Sequence, residues 1–152
     1  MMLPEQIHLV IVGRHTEYTD KIERFIKENK LEKRVHIISN VPFDDLPVFY
    51  QLAEIFVYPS RFEGFGIPII EALYSGIPVV AATGSCLEEA GGPDSIYVHP
   101  DDIKGMADAF KQIYSDTERK KEMIEKGQKF AKRFSEEKQA VEILNIYKKL
   151  MK

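Results

Sequence analysis

The segment richest in potential chemistry is a glycine-bearing loop between two glutamates. Glu63 precedes the loop, Gly64 and Gly66 stand within it, and Glu71 follows Glu63 after seven intervening residues. A carboxylate accepts two hydrogen bonds at once and therefore suits the vicinal hydroxyls of a ribose or hexose. Backbone amides beside the glycines can approach a ligand closely, because glycine has no Cβ. The pattern predicts carboxylates and amide donors around one ligand.

The residues after the loop predict an anion at the same place. Pro68 suits the first turn of a helix over 68–75, and Gly76 suits its C-terminal stop. The loop amides would then lie at the positive end of that helix, which favours an anion such as a diphosphate. Together these groups match a sugar nucleotide. The same residues also allow a simpler interpretation, a tight turn before a helix on which Glu71 is solvated.

Short strands alternate with helices along the first two thirds of the chain. The strands are apolar on both faces, and the first of them, over 7–13, is predicted to be buried. From residue 103 onward only helical periodicity is left. The predicted strands are 7–13, 35–38, 55–58, 78–82 and 96–98, and the predicted helices are 18–30, 43–53, 68–75, 103–115, 117–133 and 136–151.

This alternation predicts an α/β fold. We expect a Rossmann-like, open, mainly parallel sheet with helices on both faces and a helical C-terminal segment. One domain would span residues 1–152, with an α/β core over 1–102 and C-terminal helices over 103–152. Ligands of such sheets bind at the carboxyl ends of the strands. The loops at those ends are 13–18, 39–43, 59–67 and 83–87.

Composition excludes several other classes. The 44% hydrophobic and 30% charged residues are typical of a globular domain, and no apolar run reaches the ~18 residues of a membrane span. Cys86 is the single cysteine, so an internal disulfide and a cysteine-rich metal cage are excluded. We expect a cytoplasmic protein. The net charge of −3 gives no reason to expect nucleic acid as a partner.

Charge is distributed unevenly along the chain. Residues 1–102 carry 8 basic and 16 acidic side chains, whereas residues 103–152 carry 13 basic and 8 acidic ones. A basic helical segment can contact an anionic membrane surface peripherally or form a solvated helix face. We favour the solvated face.

Residues 63–72, EGFGIPIIEA, and residues 76–80, GIPVV, resemble the signature of family 4 (group 1) glycosyltransferases. The order and spacing of the predicted elements are similar to the family over nearly the whole chain. The resemblance implies the donor-binding C-terminal half of a retaining, metal-independent enzyme of the two-domain GT-B architecture. Its partners would be a nucleoside-diphosphate sugar and the N-terminal GT-B domain of the same enzyme, with no cofactor.

The resemblance also implies roles for individual residues. Glu71 matches the residue that binds the ribose hydroxyls of the donor. Glu63 matches the catalytic-site residue that faces the transferred sugar, where it would position or stabilise charge rather than attack covalently. The backbone that would contact the sugar and phosphates is that of Gly64, Phe65, Gly66 and Ile67.

The sequence also departs from the family pattern. The C-terminal half of the family begins one strand and one helix earlier, with a glycine-arginine pair and a lysine that bind the diphosphate. Gly13-Arg14 and Lys21 imitate that pattern, but Gly13 lies 51 residues before Gly64, which is the spacing of the family's second strand. We therefore expect the phosphate-binding arginine and lysine, and the acceptor-binding domain, outside this chain. Alone the chain would be inactive. The alternative is a non-catalytic module that binds a nucleotide sugar for regulation or scaffolding.

Overall fold

A computed structural model describes residues 2–84 and 86–151, so Ser85 of the predicted cleft loop 83–87 lies outside the described residues. The chain forms two compact units, Met1–Val48 and Phe49–Lys152, each with its own parallel sheet. The α/β class is confirmed. The single domain over residues 1–152 stays a prediction.

The first unit is a strand-helix-strand arrangement. Strands β1 (Leu9–Val12) and β2 (Val35–Ile38) pair in parallel, with Leu9 opposite Val35. Helix α1 (Glu17–Glu28) connects them and begins at the N-cap residue Thr16, whose backbone amide donates to the Thr19 hydroxyl at 2.9 Å. The prediction that the first strand is buried is wrong, since Leu9 is 42% exposed. In the part of the chain that the structure describes, β1 pairs with β2 alone in a two-stranded sheet, which leaves its side chains open to solvent.

The second unit carries the loop with the two glutamates. It contains three parallel strands, β3 (Phe56–Tyr58), β4 (Val79–Ala82) and β5 (Ile96–Val98), which pair in the order β3-β4-β5. Helix α4 (Leu87–Gly91) lies between β4 and β5 in sequence. The short helix α4 was not predicted, because five residues are too few for a periodic pattern. A 3₁₀ turn (Phe43–Asp45) lies in the first unit, and helix α2 (Leu46–Leu52) crosses the boundary after Val48. The other helical elements of the second unit are α3 (Ile67–Tyr74), α5 (Ile103–Ser115), α6 (Thr117–Ala131), a second 3₁₀ turn (Lys132–Phe134) and α7 (Glu136–Leu150).

The central strand β4 is completely buried between two helical layers. Side chains alternate across a strand, so its residues divide between the two faces. Val79 and Ala81 belong to an apolar cluster with residues of α3 and α4, whereas Val80 packs with Ile113 of α5 and Met123 of α6. Helices therefore cover both faces of this sheet, as the sequence predicted.

The last helix, α7, has no buried residue. Its lysines Lys138, Lys148 and Lys149 are exposed, in agreement with a solvated basic face. Val141 and Leu144 are also exposed, at 56% and 51%. Over residues 2–84 and 86–151, every helix is too short or too polar to span a bilayer.

Both ends of α3 depend on glycines with positive φ. At the N-cap, Gly66 has φ of 104°, and a Cβ there would lie 3.0 Å from Leu87 Cδ2 and 3.3 Å from Ala90 Cβ. At the C-terminus, Gly76 has φ of 76° and its amide donates to the Leu73 carbonyl at 3.1 Å, as in a Schellman motif. The loop before α3 thus reaches its position because residue 66 has no side chain.

We expect Gly66→Ala to destabilise the chain by about 1–3 kcal/mol, because alanine disfavours a positive φ and its Cβ would press on α4. Gly64→Ala is the matched control, since a Cβ at Gly64 has no atom within 4 Å. It should change the free energy of unfolding by less than about 0.5 kcal/mol. Urea denaturation of both variants measures this difference, and equal losses would contradict the role given to Gly66.

Candidate functional site

Each of the two predicted glutamates accepts a hydrogen bond from a tyrosine hydroxyl. Tyr58, the last residue of β3, donates to Glu63 Oε1 at 2.7 Å. Tyr50, on α2, donates to Glu71 Oε2 at 2.8 Å. All four residues are half-buried. The two carboxylates are therefore held in place before any ligand binds.

The two tyrosines are joined by a phenylalanine into an aromatic wall formed by Tyr50, Phe56 and Tyr58. Ring centroids are 5.4 Å apart between Tyr50 and Phe56, and 5.8 Å apart between Phe56 and Tyr58. Phe56 and Tyr58 lie two residues apart on β3 and so point to the same face of the strand. All three rings pack against the buried apolar cluster of β4, α3 and α4. The wall fixes the positions of both hydroxyls.

The pKa values of both tyrosines are raised. Burial is the largest cause for Tyr58, and with the hydrogen bond to Glu63 it raises the pKa of that hydroxyl to about 12. Burial followed by the hydrogen bond to Glu71 likewise raises the pKa of Tyr50. The negative charge of Glu71 also raises the pKa of Tyr58, which shows that the two pairs interact electrostatically. Both hydroxyls keep their protons near neutral pH and act as donors.

The loop between the glutamates has exposed residues on one side and residues that pack against the rest of the unit on the other. Gly64 is exposed and Ile67 is 62% exposed, whereas Gly66 is buried. The Phe65 ring packs edge-on against Phe134, with the centroids 5.5 Å apart. The Phe65 side chain therefore anchors the loop, and its backbone is what can meet a ligand.

The N-terminus of α3 offers fewer amide donors than an ordinary helix. Pro68 has no N–H, and the Ile69 N–H donates to the Gly66 carbonyl at 2.9 Å. An anion at this end of α3 would therefore take its hydrogen bonds from amides between Gly64 and Ile67. These are the backbone positions that the sequence predicted for donor binding.

Two further side chains hold the loop around Glu63. The Cys86 thiol donates to the Glu63 carbonyl oxygen at 3.3 Å, and Cys86 is half-buried, which fits a packing role better than that of a nucleophile. The Arg61 guanidinium binds the Asp101 carboxylate through Nη1 and Nη2, with Nη1 3.2 Å from Oδ2. That ion pair lowers the pKa of Asp101. It also ties the loop after β3 to the loop after β5.

Sequence reasoning did not identify the tyrosines or Arg61 as part of the site. Tyr50 lies among apolar residues of α2, where periodicity indicates core packing. Tyr58 offered a usable pattern, because it ends β3 at the carboxyl edge of the sheet, five residues before Glu63. The partner of Arg61 lies 40 residues away in sequence, so no local pattern points to it.

The residues that imitate a phosphate site belong to the first unit. Arg14 is exposed, and the Lys21 ammonium lies 5.9 Å from the centre of the Tyr18 ring. In the described part of the chain, this unit also brings together three side chains whose nitrogen or oxygen atoms could bind a metal ion. All three are exposed, and such clusters are common without an ion. The three side chains are those of His15, Asp20 and Glu23.

Comparison with known proteins assigns the family. The family model described as "Glycosyl transferases group 1" matches residues 2–130. The O-antigen chain mannosyltransferase B of Escherichia coli is 32% identical over 142 residues, which are 93% of this chain and 37% of that protein. The chain therefore belongs to the group 1 glycosyltransferase family, as the motifs of residues 63–80 predicted. It spans about a third of the length of the curated relatives it matches.

Solved structures agree with this assignment. Sucrose-phosphate synthase from Thermosynechococcus elongatus superposes with a TM-score of 0.84 at 27% identity, over 95% of this chain and 38% of that one. The C-terminal domain of a group 1 family glycosyl transferase, LpcC of Francisella tularensis, superposes with a TM-score of 0.74 over 84% of this chain and 69% of that one. Its identity is 24%, so this likeness shows the fold alone.

The raised pKa of Tyr58 predicts a specific loss of stability in alkali. Its stabilising effect is present in full below pH 10.0, the ordinary pKa, and is lost as the pH rises towards the folded-state value of about 12. We therefore expect the free energy of unfolding to fall more steeply above pH 10 in the wild type than in Tyr58→Phe. Urea denaturation at pH 9, 10 and 11 measures this, with the exposed Tyr18→Phe as control. Parallel curves for wild type and Tyr58→Phe would contradict the assignment.

Proposed function

We propose that this chain holds the nucleotide-sugar donor for a retaining, metal-independent glycosyl transfer. The observation that carries the proposal is the pair of tyrosine-bound carboxylates, Glu63 and Glu71, on either side of a glycine loop. That loop presents its amides before the N-terminus of α3. The arrangement offers acceptors for sugar and ribose hydroxyls and donors for the phosphate oxygens between them.

Each part of the donor has a proposed place. The ribose hydroxyls donate to Glu71, the diphosphate accepts from amides between Gly64 and Ile67, and the transferred sugar lies against Glu63. The acceptor hydroxyl attacks the anomeric carbon on the face from which the diphosphate departs. The leaving diphosphate takes the hydroxyl proton, and the Glu63 carboxylate stabilises the positive charge that develops at the anomeric carbon.

The acceptor belongs to another part of the protein in this proposal. Transfer requires donor and acceptor to be held together, and the chain spans about a third of the length of its curated relatives. We propose an N-terminal GT-B domain as the acceptor-binding partner. Mannose is the first sugar to test, because one relative is named a mannosyltransferase. We also propose a cytoplasmic location, with the exposed lysines of α7 available to the inner face of a membrane.

Removing the carboxylate charge of Glu71 tests the ribose assignment. Titration calorimetry of the 152-residue chain with UDP, GDP and ADP should show saturable binding of one nucleotide. Glu71→Gln should weaken that binding about 10- to 100-fold, since a hydrogen bond to a charged group contributes roughly 1.5–3 kcal/mol. Unchanged affinity in Glu71→Gln would rule out the ribose contact.

Glu63→Gln tests whether Glu63 contributes to binding of the sugar independently of the nucleotide. We expect this variant to bind the nucleoside diphosphate as the wild type does, because Glu63 faces the sugar. Its affinity for the matching sugar conjugate should fall by about tenfold or more. The measurement is the same calorimetric titration with each ligand. An equal loss for both ligands would show that Glu63 does not act on the sugar separately.

A further inference from the structure

We infer that Tyr50 and Tyr58 are positioning residues that divide donor recognition between them. Tyr50 sets the affinity for the nucleotide through Glu71, and Tyr58 sets the affinity for the transferred sugar through Glu63. This inference rests on the proposed function and deepens it, because it assigns each half of the donor to one tyrosine–carboxylate pair.

Each glutamate keeps hydrogen-bonding capacity that its tyrosine does not use. An ionised carboxylate has two oxygens and about four acceptor positions. Tyr50 uses Oε2 of Glu71, and Tyr58 uses Oε1 of Glu63. Within residues 2–84 and 86–151, no other hydrogen bond reaches either carboxylate. Each glutamate therefore keeps one whole oxygen for the ligand, with two acceptor positions that match a pair of vicinal hydroxyls.

The tyrosines restrict the motion of the two glutamate side chains. A glutamate side chain rotates about three bonds, so an unsupported one would have to be ordered when the ligand binds. The tyrosine rings rotate about two bonds and are packed into the aromatic wall, with centroids 5.4 and 5.8 Å from that of Phe56. Each hydroxyl, held in place by the packed ring, thus restricts the rotation of one glutamate carboxylate through its hydrogen bond. Ordering a binding group in advance increases affinity.

Both tyrosine hydroxyls are protonated at neutral pH. A tyrosine can orient a carboxylate in this way only while its hydroxyl carries a proton. Burial and the neighbouring carboxylates raise the pKa values of Tyr50 and Tyr58, so both remain donors throughout the neutral range.

A purely structural role for the wall gives a different expectation. Tyr→Phe keeps the ring and its packing and removes one oxygen. If the rings serve packing alone, both variants should bind every ligand as the wild type does. If the variants loosen the site generally, both should weaken every ligand to the same extent. Neither alternative predicts that one variant weakens both ligands while the other weakens the sugar conjugate alone.

The test is calorimetry on the 152-residue chain as wild type, Tyr50→Phe, Tyr58→Phe and Glu71→Gln. The ligands are UDP, GDP and ADP and their glucose or mannose conjugates. We expect Tyr50→Phe to weaken the diphosphate and its conjugate about tenfold alike, the lower end of the loss for a hydrogen bond to a charged group. Tyr58→Phe should weaken the conjugate about tenfold and leave the diphosphate unchanged.

Failure of the inference and failure of the proposed function give different results. If Glu71→Gln loses nucleotide affinity while both tyrosine variants match the wild type, the inference is overturned and the proposed function stands. Equal losses for both ligands in both tyrosine variants also overturn the inference. If the wild type binds none of the ligands, the proposal that this chain by itself holds the donor fails, and the pairing of Tyr50 with Glu71 is then tested without ligand.

A ligand-free measurement then decides whether the hydrogen bond itself exists in solution. Urea midpoints are compared for Tyr50→Phe, Glu71→Met and the double variant, because methionine is similar to glutamate in length but replaces the charged carboxylate with an uncharged, weakly accepting sulfur. A double variant that loses less than the sum of the single losses supports the pairing of Tyr50 with Glu71. Additive losses overturn it.

Discussion

Complete burial of β4 is the constraint on which the glutamate-bearing unit depends. Every residue of this strand is inaccessible to solvent, and its two faces pack against α3 and α4 on one side and against α5 on the other. Helix α6 contributes to both clusters, with Ala131 in the first and Met123 in the second. A strand covered on both faces cannot shift its register without exposing its side chains or burying others wrongly. The carboxyl edge of the sheet is therefore fixed, and the loop that follows β3 starts from a fixed point.

From that edge, the position of the loop follows from close packing. Gly66 lets the backbone lie against Leu87 and Ala90 of α4, and Phe65 is held by Phe134. Glu63 and Glu71 then meet hydroxyls carried by a wall that packs on the same buried cluster as β4. The same packing therefore serves the core and the proposed donor site: the tyrosine rings pack on the buried cluster, and their hydroxyl groups bind Glu63 and Glu71.

The balance of charge around the loop bears on how a diphosphate would be held. Arg61 is the single cation in residues 59–67, and its charge is engaged by Asp101. Two carboxylates flank the same loop, so the local field is unfavourable to an anion except where amides point outward. Backbone donors between Gly64 and Ile67 offset part of this charge.

The amino-acid sequence was enough to predict the α/β class, most element bounds to within one or two residues, the glycine boundaries of α3 and the membership of the family. These follow from local periodicity and from a contiguous motif, which depend on neighbours in the chain. Long-range packing is needed to explain that Tyr50 binds Glu71, that Arg61 pairs with Asp101 and that β1 is exposed. The first two contacts join residues that are 21 and 40 positions apart in sequence, and the exposure of β1 depends on how many strands lie beside it. The distance between such groups is set by packing, which a linear pattern does not encode.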